Sequence, residues 1–147
     1  MAKTALANRQ FAGLVLPTAD GQVVGPFTDA FVAGEDLTSG QIVFLSSTPN
    51  WQSADNTVSN SYGKLIGIVN DISNPVSSDP CRVSLPGSMV YTSGYTWTIG
   101  APIYLSTVGN LTQTQPTAAN AAIRMIGWAT GAHSMYFFPS PDYITHT

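Results

Sequence analysis

Leu37-Thr38-Ser39-Gly40-Gln41-Ile42-Val43-Phe44-Leu45-Ser46 is answered sixty residues later by Trp97-Thr98-Ile99-Gly100-Ala101-Pro102-Ile103-Tyr104-Leu105-Ser106, and no gap is needed to align them. The same offset pairs Asn50 with Asn110, Thr57 with Thr117 and Asn60 with Asn120. It also pairs Lys64-Leu65-Ile66-Gly67-Ile68-Val69 with Arg124-Met125-Ile126-Gly127-Trp128-Ala129. Nine identities fall within the 35 positions from 37–71 to 97–131, where chance supplies about two or three, so the chain contains an internal repeat that sets its architecture. The repeated stretches are short apolar runs with β-branched and aromatic members, bounded by Gly, Pro, Ser and Asn, which is the pattern of strands and turns.

Working outward, Ile42-Val43-Phe44-Leu45, Leu65-Ile66-Gly67-Ile68-Val69, Ile103-Tyr104-Leu105, Met125-Ile126-Gly127-Trp128 and Met135-Tyr136-Phe137-Phe138 read as strands. Arg82-Val83-Ser84-Leu85 and Ser88-Met89-Val90-Tyr91 read as two more, joined by a tight turn in which Pro86 sets φ and Gly87 supplies a positive φ. Thr117–Ala122 is the one helical candidate, and it is too short to hold a helix unaided. The expected fold is all-β, a small barrel or sandwich built from two pseudo-repeated units at about 37–71 and 97–131, with an extended N-terminal segment. A glycine in mid-strand normally weakens a sheet, so Gly67 and Gly127 mark a bulge, a bend or a close backbone approach.

Residues 1 to about 31 lie outside the repeat and divide from a β domain over 32–147. They carry the apolar run Phe11-Ala12-Gly13-Leu14-Val15-Leu16, with Lys3 and Arg9 ahead of it. Asp20-Gly21 between Val15-Leu16 and Val23-Val24 suits a hairpin turn. The alternative is an extended arm on another subunit, which needs apolar anchors to offset the entropy of ordering it. Lys3, Arg9, Phe11, Leu14 and Leu16 are the candidates for partner contact.

Composition narrows the function. Only 9% of the 147 residues are charged, against roughly 25% in ordinary soluble domains, so little like-charge repulsion keeps copies apart. The net charge of −3 and the scattered Lys3, Arg9, Lys64, Arg82 and Arg124 argue against nucleic acid, which needs clustered cations. Cys81 stands alone, leaving no disulfide and no multi-cysteine zinc set; its reading is a small buried hydrophobe. No run approaches the length of a membrane span, and Met1–Arg9 lacks the apolar core of a secretory signal. His133 and His146 are the only histidines, and the carboxylates fall mostly in turns. Glu35-Asp36, the one adjacent pair, reads as a solvated turn and lacks EF-hand spacing. No catalytic residue, metal or cofactor is expected. Trp51, Trp97 and Trp128 suit a sugar platform, but Trp97 and Trp128 align with Leu37 and Ile68, which favours a core role for both.

The order Leu37–Leu45, a variable polar stretch, then Leu65–Val69, repeated as Gly100–Leu105, Gly109-Asn110-Leu111-Thr112 and Met125–Ala129, resembles the capsid cement and decoration proteins of tailed bacteriophages. The C-terminal Phe137–Thr147 is similar to the ends of phage virion proteins. The resemblance covers about residues 32–147. It implies a non-enzymatic protein, commonly a homotrimer, on the outer head surface of the virion, made in the host bacterial cytoplasm. The implied partners are the major capsid protein and, in some relatives, a head fibre. The alternative is a tail- or fibre-associated module that binds a host glycan or protein.

Overall fold

In the computed structural model, which describes residues 15–147, the sixty-residue offset extends to single hydrogen bonds. Gly40 N donates to Val69 O (2.7 Å) and Gly100 N to Ala129 O (2.8 Å). Ser46 N donates to Asn50 O (2.9 Å) and Ser106 N to Asn110 O (3.0 Å). Gly40 and Gly100 both take the left-handed conformation, at φ 91° and 83°. Each is the third residue of a turn closed by Gln41 N to Thr38 O or Ala101 N to Thr98 O, a position that glycine fills without a Cβ penalty.

The first unit comprises β1 (Phe27–Thr28), β2 (Val32–Ala33), β3 (Ile42–Leu45), β4 (Asn50–Ser53), a short helix α1 (Ser59–Tyr62), β5 (Ile66–Val69) and β6 (Val83–Ser84). The second comprises β7 (Ser88–Tyr91), β8 (Pro102–Leu105), β9 (Leu111–Thr112), β10 (Ala122–Ile123), β11 (Met125–Ala129), β12 (Ser134–Phe137) and β13 (Ile144–Thr145). Sheet 1 has the order β1-β6-β5-β3-β4-β2 and sheet 2 the order β7-β12-β11-β8-β9, while β10 and β13 form a small ribbon. With β2 set aside, the two orders are the same five-strand arrangement. The repeat is therefore longer than the sequence identities, and β1 and β7 are counterparts. Registers agree as well: Val43 faces Gly67 and Ile103 faces Gly127, while Leu45 faces Trp51 and Leu105 faces Leu111. None of the sheets closes on itself, so the fold is a sandwich.

Sheet 1 begins before residue 31, because Phe27–Thr28 pair with Ser84 and Val83. The Asp20-Gly21 turn forms, with Gln22 N bonded to Ala19 O (3.3 Å), but no hairpin follows. Pro17 has no amide to give a ladder, and Val24 bridges Met89 on β7 instead of returning to Val15-Leu16. Thr117–Ala121 is a loop with one turn, as its length requires. The helical turn lies at Ser59–Tyr62, where Ser61 supplies what propensity does not. Its hydroxyl donates to Asp55 O or Val58 O and accepts from Asp55 N, all within 2.8–3.0 Å.

Side-chain alternation divides each sheet into two faces. One face of sheet 1 carries Ile42, Phe44, Ile66 and Ile68, and it packs on Val90, Ile103, Leu105, Ala129, Met135 and Phe137 of sheet 2 to form the main core. The other carries Val43, Leu45, Trp51, Val69 and Val83, and is closed by Ala33, Leu37 and Cys81 into a second core. β3 and β5 are thus covered on both sides, which is why they read as continuous apolar runs. The cover is the long β5–β6 connection, residues 70–82, held to the 33–37 segment through Ala33 N to Asp79 O (2.9 Å), Ser78 N to Ala33 O (2.8 Å) and Leu37 N to Pro75 O (2.9 Å). Cys81 sits in it fully buried. Burial, then the charges of Asp71 and Asp29, push its thiol up to about 11 from its ordinary 9.0.

Gly67 and Gly127 are close approaches. A Cβ on Gly67 overlaps Val83 Cγ1 and reaches Ser84 O at 3.0 Å; one on Gly127 overlaps the carbonyl oxygen of Tyr136. The obstacle is a side chain in one unit and backbone in the other, so the two glycines should respond differently. Gly67→Ala should lose about 1–3 kcal/mol, and Val83→Ala in the same chain should recover part of it, giving a measurable coupling in urea unfolding. Gly127→Ala should lose at least as much, with no recovery from Met135→Ala. Equal behaviour of the two cycles contradicts this account. Cys81 gives a second check. Between about pH 9 and 11 the unfolded chain releases a thiol proton that the native chain keeps. Its contribution to stability is therefore full below pH 9 and falls as pH rises toward 11. Cys81→Ala should flatten that part of the stability–pH curve, and native Cys81 should resist a thiol reagent at pH 8 until urea is added.

Candidate assembly interface

The two units stack head to tail. Residues of sheet 1 that enter the main core, Ile42, Phe44 and Ile68, correspond to Pro102, Tyr104 and Trp128 in sheet 2. Those of sheet 1 that enter the second core, Val43, Leu45 and Val69, correspond to Ile103, Leu105 and Ala129, which enter the main core. One face of each unit is thus repeated in sequence and used differently in space. The stack leaves one face over at each end. Residues 31–37 and 70–82 cover the spare face of sheet 1. Among the described residues the spare face of sheet 2 has no such cover, its β11–β12 connection being only residues 130–133.

On that bare face Pro102 lies opposite Trp128, Trp128 opposite Tyr136, and Tyr136 opposite Met89. The four form one row across four strands, with Val24 bridged to Met89 at its end. Tyr104, Met125, Tyr91 and Phe138 flank the row. Trp128 is 44% and Phe138 57% exposed, and the Tyr136 and Phe138 rings stack at 5.6 Å. The five strands of sheet 2 contain no Asp, Glu, Lys or Arg. An apolar face of this extent, free of charge, marks an interaction surface more often than solvent-facing sheet.

A groove of about 260 Å³ ends the face, lined by Tyr104, Ile123, Met125, Ser140, Asp142, Tyr143 and Ile144. Arg124 fixes its far wall. This side chain is buried and donates from Nε to Ser140 O (2.9 Å) and from Nη1 to Tyr62 O and Lys64 O. Burial pulls its pKa down from the usual range. Tyr143 then meets Tyr62 edge-on at 4.7 Å.

Other sequence candidates sit elsewhere. Trp51 is fully buried in the second core, so it offers no sugar platform. Trp97 packs half-buried on the main core, as expected from Leu37. Trp128 does not follow Ile68 inward, because the head-to-tail stack gives the two positions different neighbours. Glu35 accepts from Ser53 N and Asp36 from Ser77 N, so the pair is divided between two backbone segments. His133 Nδ1 lies against Tyr95 O. Among the described residues no three His, Cys, Asp or Glu side chains gather, and no helix is long and apolar enough to cross a membrane. Leu16 is 49% exposed beside Val15 at 58%; Lys3, Arg9, Phe11 and Leu14 lie outside the described residues. Compared with protein-family models, curated proteins and solved structures, the chain has no match.

Arg124 gives this region its test. Arg124→Met should cost about 2–3 kcal/mol by orphaning three carbonyls. Arg124→Lys should recover less than half, since one ammonium lacks the planar fork that spans Ser140 and Tyr62. Thermal unfolding of the two variants measures this, and a lysine variant equal to wild type contradicts it.

Proposed function

We propose that this chain is a non-enzymatic structural protein of a tailed-phage virion, which binds the outside of the assembled head as a homotrimer and stabilises the lattice. The major capsid protein is its partner, and a head fibre is a further one. The observation that carries the reading is the bare, uncharged aromatic face of sheet 2. It is the counterpart of a face that the same chain buries in its first unit. Trp128 and Phe138 are about half exposed, so covering them contributes about 1 kcal/mol for each ring, and membership of an assembly stabilises the protein. The resemblance of residues 32–147 to decoration proteins names the assembly. A ligand that binds the closed lattice and not its separated parts stabilises it by mass action.

A second reading, a host-glycan module of the tail or fibre, has one observation in its favour. A cleft of about 450 Å³ between the units is lined by Thr38, Ser39, Gln41, Thr92, Thr96 and Asn110 beside Trp97 and Tyr95. Thr92 Oγ1 and Trp97 Nε1 on its wall have no hydrogen-bond partner among the described residues. Hydroxyls, amides and an aromatic ring without charge suit a neutral sugar.

Heads assembled without the protein should bind it to saturation in co-sedimentation and then resist heat-induced DNA release. The double variant Trp128→Ser, Phe138→Ser should keep its β spectrum and bind at least tenfold more weakly. No binding at excess protein overturns the proposal, and selective binding to a glycan array that Trp97→Ala abolishes moves the assignment to the second reading.

A further inference from the structure

We propose that a pocket on the seam between the two units, apart from the sheet 2 row and from the cleft beside Trp97, binds a single neutral sugar ring, with Asn56 as its central contact. The pocket has a volume of about 320 Å³ and takes walls from both units, Asn56 and Thr57 from the first and Ser106, Thr107, Thr112 and Thr117 from the second. Three observations carry the assignment.

The first is Asn56 itself. It is only 4% exposed, and its Oδ1 has no hydrogen-bond partner among the described residues. Leaving a buried acceptor unmet is costly, and native proteins rarely do so. The backbone keeps the residue at the pocket wall. Asn56 N donates to Ser106 O (3.1 Å), Asn56 O accepts from Ala122 N (2.6 Å), and Gly109 N donates to Ala54 O (2.7 Å) just before it.

The second is the hairpin opposite. The sixty-residue offset pairs Ser46-Ser47-Thr48 with Ser106-Thr107-Val108. In the first unit Ser46 Oγ lies 3.1 Å from Thr48 Oγ1 and donates to Asn50 Oδ1 at 2.6 Å, so that hairpin uses its own hydroxyls. In the second unit Val108 has no hydroxyl to offer. It is 60% exposed at φ 40°, a strained conformation for a β-branched residue, and its amide donates to Asp55 Oδ2 (3.2 Å). Ser106 thus lacks the neighbour that Ser46 has, and it lines the pocket with Thr107.

The third is charge and size. No charged side chain lines the pocket, and the carboxylate of Asp55 is engaged by Thr57 N, Thr57 Oγ1 and Val108 N. An ionic ligand would therefore be buried without a counter-charge. A carboxamide presents an acceptor beside donors, and hydroxyls act as both; neighbouring hydroxyls of a sugar match that set. One water takes only about 30 Å³, so satisfying Asn56 alone does not account for the cavity. Its volume is at the small end of ligand sites, which run roughly 300–1,000 Å³, and it takes one ring.

The test uses the full-length, isotope-labelled protein. D-glucose, D-galactose and N-acetyl-D-glucosamine are titrated into it separately while amide chemical shifts are followed. At least one sugar should move the Asn56 side-chain signal together with the backbone amides of Ser106, Thr107 and Thr117, saturating in the millimolar range. Asn56→Ala should weaken that binding about tenfold or more. Should Asn56→Ala fail to fold, the double variant Thr107→Val, Thr117→Val replaces it; both side chains are exposed, and the same weakening is expected. No response to any of the three sugars leaves water as the partner of Asn56 and overturns the proposal. So does a response that survives these variants, or one that Trp97→Ala removes. The methyl glycoside of the sugar that binds then separates two sources of the same chemistry: equal binding assigns the site to the end of a glycan chain, and lost binding assigns it to a free monosaccharide. Sugar binding at Asn56 in protein that does not bind heads defeats the head-binding role alone, and head binding without a sugar response defeats this site alone.

Discussion

Ile42, Ile66 and Ile68 on one sheet meet Ile103, Leu105 and Phe137 on the other, and all six side chains are fully buried or nearly so. This contact joins unlike faces of two copies of one unit. A head-to-tail contact between like units consumes one face of each and leaves one face of each unused. The remaining architecture answers that remainder. Residues 70–82 and 31–37 cover the first spare face, as end caps do in repeat proteins, while the four-residue β11–β12 link is too short to cover the second.

The close approach of β5 to β6 and of β11 to β12 is the local condition for the stack. Gly67 admits Val83, and Gly127 admits the backbone of Tyr136. Sheet 2 differs by a bulge between Met125 and Gly127, which places Met125 opposite Tyr104 and turns Ile126 into the main core. Two units with almost the same hydrogen bonds thus present different surfaces. Asp55 joins them at the other end of the core. Burial raises its pKa, but bonds from Thr57 and from Val108 N outweigh it, so its carboxyl sits below the usual range. Gly109 N to Ala54 O (2.7 Å) and Ala122 N to Asn56 O (2.6 Å) complete the seam.

The proposed function rests on the unequal ends of the stack. Only 9% of the residues are charged, and the sheet 2 face that the described residues leave open carries none on its strands. A partner that covers it also removes an exposed sheet face that invites unwanted association. The proposed membership of an assembly answers that physical need.

The amino-acid sequence by itself determined the repeat, the class of fold and seven of the strands. Those depend on short-range facts: β-branched runs between turn residues, a glycine where φ is positive, and a glycine where no Cβ fits. Of the strands it did not reveal, β1, β2, β9, β10 and β13 are two residues long and are made by their partners' ladders, while β4, Asn50–Ser53, has four residues but lacks the apolar run that marks the others. Offset alone aligned Trp128 with Ile68 and assigned both to a core. Only tertiary structure could separate them, because equivalent residues in a head-to-tail stack face different neighbours. The same reason hid the candidate interface. Met89, Trp128, Tyr136 and Pro102 lie on four strands with no common spacing, and registry across the sheet is what brings them into one row.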